Sequence, residues 1–209
     1  MNSQALFDGI LALVAFSVAW QSAKAPALRL ACAMLGTAAL LGTLRFSGLL
    51  PLPSLHQLIS MLGAAAALPL LAVSVIWPEN AVATQRRSAW IFAVVAATLG
   101  MMIVVQLGFK PWAPACTLLA VVSLLLVSLK RQDWLAAAGG ACLLAASLAF
   151  VAKLQLAGLQ AGDFLHIGMS AGLWLLGRRA QQATATAARL SLRVSAQAAA
   201  AITSATSSA

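Results

Sequence analysis

Acidic side chains are scarce: four Asp and Glu face thirteen Lys and Arg in 209 residues, and charged residues of both signs make up only 8%. A chain with so little charge cannot cover a globular surface with groups that water solvates, which excludes a soluble domain. Tyrosine is absent, and histidine occurs twice. The three cysteines, Cys32, Cys116 and Cys142, lie inside apolar runs without C-x-x-C spacing. That excludes a disulfide framework and a zinc knuckle, and leaves them as small apolar side chains. The H-E-x-x-H pattern of helical zinc proteases is also missing. The formal charge of +9 does not read as a nucleic-acid footprint, because the bases punctuate long uncharged runs instead of covering a polar face.

What is present is apolar: 62% hydrophobic residues and a mean hydropathy of +0.95. A helix crosses a hydrocarbon layer of about 30 Å with roughly 20 apolar residues, and seven runs of that kind stand between breaks of charge, Pro or Gly. They are Ala5–Gln21, Ala27–Leu44, Ser54–Trp77, Ala89–Phe109, Ala113–Leu129, Trp134–Ala152 and Leu159–Gly177. The chain is therefore expected to be all-α, a polytopic bundle of seven transmembrane helices over residues 1–177. Alternate loops divide the bases unequally. One set holds Lys24, Arg29, Arg86, Arg87, Lys130, Arg131, Arg178, Arg179, Arg189 and Arg193, the other only Arg45, Lys110 and Lys153. Cytoplasmic loops carry the excess, which predicts the N-terminus outside, the C-terminus in the cytoplasm and residence in a bacterial inner membrane. Ala23-Lys24-Ala25 after the first run has the look of a signal-peptidase site. The absence of a basic residue before that run, and Asp8 within it, favour a retained helix. Residues 178–209 form a basic and then Ala, Ser and Thr-rich cytoplasmic tail. Its first half is expected on the anionic leaflet as a short basic helix, and its last dozen residues are expected to lack order.

Ionisable groups inside apolar spans are costly and mark sites by default. Here they are Asp8, His56, Asp163 and His166. In the expected topology all four fall in the outer half of the bilayer, near the starts of the first, third and seventh helices. His56 and Ser60 share a helix face at i, i+4, as do His166 and Ser170, with Asp163 three residues earlier. Two imidazoles and a carboxylate are normal zinc ligands and leave a position open for water. On this reading His56, His166 and Asp8 hold Zn²⁺, Asp163 orients a ligand or takes a proton, and Ser60 donates to a developing oxyanion. The bland alternative is structural: Asp163 satisfies a deep His166, His56 meets lipid headgroups, and the serines pack helices.

The run Gly162-Asp163-Phe164-Leu165-His166, continuing through Ala171–Leu176 to Arg178, resembles the last helix of a group of uncharacterised bacterial seven-helix membrane proteins. Asp8 and the Leu55-His56 to Ser60 stretch resemble the same group. That group is distantly similar to the superfamily of alkaline ceramidases and progestin and adipoQ receptors. The resemblance implies seven helices, zinc held by His56 and His166, and support from Asp8 or Asp163 and Ser60. Gly162 stands where a paired His would be, so that ligand is missing unless Asp163 or Asp8 replaces it. The implied activity is metal-dependent hydrolysis of a lipid amide or ester near the outer face, with the bilayer and a lipid as partners and no nucleic acid. A non-catalytic scaffold, a transporter and a bis-His haem protein remain as other readings.

Overall fold

The structure is a computed structural model that describes residues 2–50 and 52–207. Seven long helices account for nearly all of it: α1 (Ser3–Gln21), α2 (Pro26–Phe46), α3 (Pro53–Ile76), α4 (Arg86–Gln106), α5 (Trp112–Lys130), α6 (Trp134–Val151) and α7 (Ala161–Ser207). A single helical turn, Ala81–Thr84, precedes α4. Among the described residues there is no strand, only an isolated bridge between Leu156 and Leu159 in the α6–α7 loop. The first six helices are long and apolar enough to cross a membrane. Their bounds fall within a few residues of the runs read from the sequence. The seventh starts near its expected place but does not stop at Gly177. Its backbone stays helical to Ser207, so no break marks the division expected at Arg178. Residues 208 and 209 of the tail expected to lack order lie outside the described residues.

Local chemistry sets the helix starts. Asn2 caps α1 by accepting from the Gln4 N–H, Pro26 and Pro53 open α2 and α3, and Asp133 caps α6 by accepting from the Ala136 N–H. These devices satisfy or remove amide donors that a helix start leaves unpaired. Pro69 leaves its mark on α3. A proline has no N–H for the carbonyl four residues back and its ring crowds that turn. The helix widens into a π turn over Gly63–Ala67 just before it, the usual way of absorbing such a fault without breaking the rod.

Small residues dominate the interior. Ala15, Ala27, Ala31, Ala66, Ala67 and Ala136 are all completely buried, so helix backbones approach closely, as they do where packing contacts outweigh any hydrophobic drive between helices. One such close approach joins α6 and α7. A Cβ on Gly139 would lie 3.1 Å from the Gly172 carbonyl oxygen, and one on Gly172 would lie 2.9 Å from that of Gly139. Gly140 and Gly36 are likewise used inside the chain, against Leu124 with Leu125 and against Phe16.

Six helices close a ring in the order α1, α2, α3, α5, α6, α7, with α4 packed outside against α2 and the π turn of α3. The outward face of α4 carries exposed Trp90, Ile91, Val94, Val95 and Leu99. The ring closes through α1 and α7, which run parallel and in register. Ser3 bonds to Asp163 at one end, Val18 meets Gly177 further along, and Gln21 bonds to Gln181 at the other.

Candidate functional site

Within the ring, at the end where α1, α3, α5 and α7 begin, lies a cavity of about 530 Å³. That is within the roughly 300–1,000 Å³ of sites that enclose a small ligand. All six ring helices line it and α4 does not. Its depth is mostly apolar, with Leu35, Leu68, Leu118, Val121, Leu143 and Met169 in the walls. Asp8, His56, Ser60 and His166 line it as well. Four of the five residues singled out from the sequence are thus brought to one cavity by three helices whose N-terminal halves share one end of the bundle.

Asp8 and His166 are in direct contact. His166 Nε2 stands 3.3 Å from Asp8 Oδ1, and the aspartate is 1% exposed. The seat of Asp8 is made by α2. A Cβ on Gly42 would reach Asp8 Cγ at 2.7 Å and Oδ1 at 2.9 Å, so the carboxylate lies in space that only a glycine leaves open. His56 is half-buried and stacks edge-on against Phe46, with ring centroids 5.8 Å apart. The Arg45 guanidinium lies 5.0 Å from the Phe46 ring centroid, which builds a short column of Arg45, Phe46 and His56 along the wall.

Asp163 is elsewhere. It is fully buried, lies outside the cavity lining, and its Oδ2 accepts from the Gln160 backbone N–H at 2.8 Å and from Ser3 Oγ at 3.0 Å. The Asp163 N–H in turn donates to the Gln160 carbonyl. A carboxylate at the third helical position bonding back to the cap residue is half of a capping box. The Ser3 bond adds a tie to α1. The acid that the sequence suggested as a catalytic group has the hydrogen bonds of a helix cap, and the Gln160-x-x-Asp163 spacing was the signal for it.

A second pattern is present by letters: Gly168-Met169-Ser170-Ala171-Gly172 matches the G-x-S-x-G of serine hydrolases. That motif works by placing the serine on a sharp strand-to-helix turn. Here it lies inside α7, its glycines pack on α6, and Ser170 Oγ donates to the His166 carbonyl at 2.7 Å. The serine is a packing residue.

Six buried side-chain polar atoms lack a protein partner among the described residues, and four of them are Asp8 Oδ2, His56 Nδ1, Asp163 Oδ1 and His166 Nδ1. Unpaired buried polar atoms are expensive and rarely scattered without cause, so their concentration at one end of the bundle marks that end as the candidate site. For zinc the fit is incomplete. Two ligands at about 2.0–2.1 Å on a tetrahedral ion stand roughly 3.3 Å apart, which is the separation of His166 Nε2 and Asp8 Oδ1. Yet among the described residues no group of three or more His, Cys, Asp or Glu side chains is close enough to hold a metal. His56 is on the wall of the same cavity, not on the pair, and the three side chains as placed do not make a zinc site.

No curated protein and no solved structure matches the chain. A sequence profile matches over residues 3–185, nearly the whole chain, and the protein belongs to the family it describes, a family of unknown function (DUF6962).

Proposed function

We propose that this protein is a seven-span inner-membrane protein, N-terminus outside, that admits a single-chain amphiphile to the cavity and hydrolyses its amide or ester bond near the outer face. The observation that carries the reading is the cavity itself: apolar in depth, with Asp8, His56, Ser60 and His166 on its walls. Support for the seventh span comes from α7 running parallel to α1 over α1's whole length. Consecutive spans alternate in direction, so parallel first and last spans require an odd number. The direction follows from the excess of bases on the face opposite the site.

The chemistry is that of a positioned imidazole. Asp8 at 3.3 Å from Nε2 holds the His166 ring and stabilises the imidazolium that forms when Nδ1, buried at rest, is brought to the cavity by a turn of the ring and takes a proton. Water attacks the carbonyl carbon, His166 accepts the water proton, and the Ser60 hydroxyl donates to the oxyanion. The C–N or C–O bond then breaks, and His166 returns the proton to the departing amine or alcohol. The apolar part of the cavity holds the acyl chain, and this binding fixes the bond against the base.

The test is a panel of long-chain amides and esters offered to purified protein in a neutral detergent, with metal content measured on the same sample. Release of fatty acid by wild type, lost in both His166→Ala and Asp8→Ala, is the expected result. Ser60→Ala should slow turnover by about 10²-fold or more, as for one oxyanion donor. Equal rates in wild type and His166→Ala would end the hydrolase reading. Zinc at one per chain, lost in His166→Ala, would make the reaction metal-dependent and require His56 to move onto the pair.

A further inference from the structure

The cavity has a direction. Phe46, His56, Pro114, Phe150 and Val151 line it at the helix ends, and Pro114, Phe150 and Val151 are exposed on the protein's surface, which puts its mouth there. Leu35 lines it on the same helix as Phe46. Eleven residues of helix separate the two, about 16 Å at 1.5 Å per residue. The space is elongated and runs inward along α2.

Arg45 stands at that mouth. Its guanidinium is over Phe46, and Phe46 in turn is against His56, both of them lining residues. The two ion pairs among the described residues are His166 with Asp8 and Arg179 with Asp133, so Arg45 has no carboxylate. The other charges in the loops at this end are Lys110 and Lys153, both basic, while Glu79 and Asp133 belong to the opposite loops. The one ionised or ionisable acid on the cavity wall, Asp8, lies further in beside His166. An anion is drawn to the mouth by Arg45 and opposed by Asp8 if it goes deeper, so the field has opposite signs for it at the two depths.

We infer that the cavity takes an amphiphile with an anionic head, a carboxylate or phosphate, which docks on Arg45 at the mouth while its single chain runs inward past Leu35 and Met169. This rests on the reading of the cavity as an amphiphile site. It adds the class of head group. Guanidinium presents a planar fork that suits both oxyanions, and its seat on an aromatic ring fixes the plane of that fork. In this pose the bond next to the head falls beside His56, Ser60 and His166.

Native mass spectrometry of the full-length protein released from a neutral detergent tests it. The probes are a lysophosphatidic acid and the monoacylglycerol of the same chain length, each with an alkyl ether in place of the ester so that the proposed hydrolysis cannot cleave it, and inorganic phosphate. Wild type should retain one lysophosphatidic acid at a concentration about tenfold or more below that needed for the monoacylglycerol, the worth of one charge-assisted contact. Arg45→Gln should bring the two to equal occupancy, with Arg45→Lys between. Leu35→Phe and Met169→Trp, each narrowing the inner part, should lose both lipids, and either folded variant serves. Phosphate alone should not be retained. Equal retention of charged and uncharged lipid by wild type, or an unchanged preference in Arg45→Gln, would overturn the anionic head while leaving the cavity reading intact. Retention of phosphate alone would make Arg45 a free-anion site and overturn the inference too. If neither lipid is retained one to one, the cavity reading itself fails.

Discussion

Position 42 is glycine because Asp8 fills the volume its side chain would take. In Gly42→Ala the carboxylate must leave its seat or α2 must move, and overpacking of this kind costs about 1–3 kcal/mol. The dependence on Asp8 has a sharp signature in a double-mutant cycle. Gly42→Ala should be costly alone and nearly free in an Asp8→Ala background, with a coupling of about 1 kcal/mol or more in thermal unfolding. Strict additivity would mean that the glycine serves something else. Gly36→Ala is the comparison, since its Cβ would meet the Phe16 ring at 3.0–3.1 Å and a ring can turn aside. Asp163 allows a second ordering. Its capping bonds go to one oxygen, which Asp163→Asn keeps and Asp163→Ala removes. Melting temperatures should fall in the order wild type, Asn, Ala, with the Ala variant losing about 0.5–2 kcal/mol. Asp8, His56, Ser60 and His166 could be picked out from the sequence because ionisable and hydroxyl side chains stand out in apolar runs, and they line one cavity; Asp163, picked out in the same way, caps a helix instead. Gly42 could not be picked out, since a glycine in a membrane helix looks like any other small packing residue until its neighbour is known. Arg45 read only as a loop charge, for the same reason.

Among whole elements, run length and breaks carried most of the information. Pro26, Pro53 and Asp133 set helix starts in ways that the sequence states outright. The sequence predicts a short basic helix in the first half of the tail, but not that α7 runs past Gly177 to Ser207 without a break, because Arg178–Ser207 has no apolar periodicity to find. Its alanine content was the available signal, since Ala has the highest helix propensity and no side-chain entropy to lose. Where α7 leaves the ring it is fastened by Arg179, whose Nε donates to Asp133 Oδ2 at 2.7 Å while Asp133 Oδ1 caps α6. One aspartate thus does two jobs, and substitutions separate them. Asp133→Ala loses cap and pair, Arg179→Ala loses the pair alone, and Asp133→Asn keeps an acceptor for the cap. Asp133→Ala removes a cap worth about 0.5–2 kcal/mol in addition to the part-buried pair that Arg179→Ala removes alone, so Asp133→Ala should be the most destabilised of the three by thermal unfolding. If Arg179→Ala proves the worst, the pair and not the cap organises this end.

For the molecule as a whole, the register between α1 and α7 ties the site to the topology. Ser3 with Asp163 and Gln21 with Gln181 fix two helices side by side from one end to the other, and this sets Asp8 against His166 between those ties. Neither partner's sequence contains that register, because parallel neighbours 160 residues apart share no local pattern; only the closed ring creates it. The same arrangement makes a strong prediction for a membrane-embedded chain. Single cysteines introduced at Ser47 and Gln155, in loops on the site's side, should react with an impermeant thiol reagent added to intact cells. Cysteines at Gln85 and Thr186 should react only after permeabilisation, with Cys32, Cys116 and Cys142 first replaced by Ala. All four test positions are exposed, so reactivity reports sidedness and not burial. A chain whose α7 stayed on one face would label at Gln155 and Thr186 from the same side, and the alternation that makes α1 and α7 parallel would be lost with it. A fully inverted pattern would keep seven spans but put the mouth and Arg45 in the cytoplasm, so that amphiphiles would have to reach the cavity from the inner leaflet.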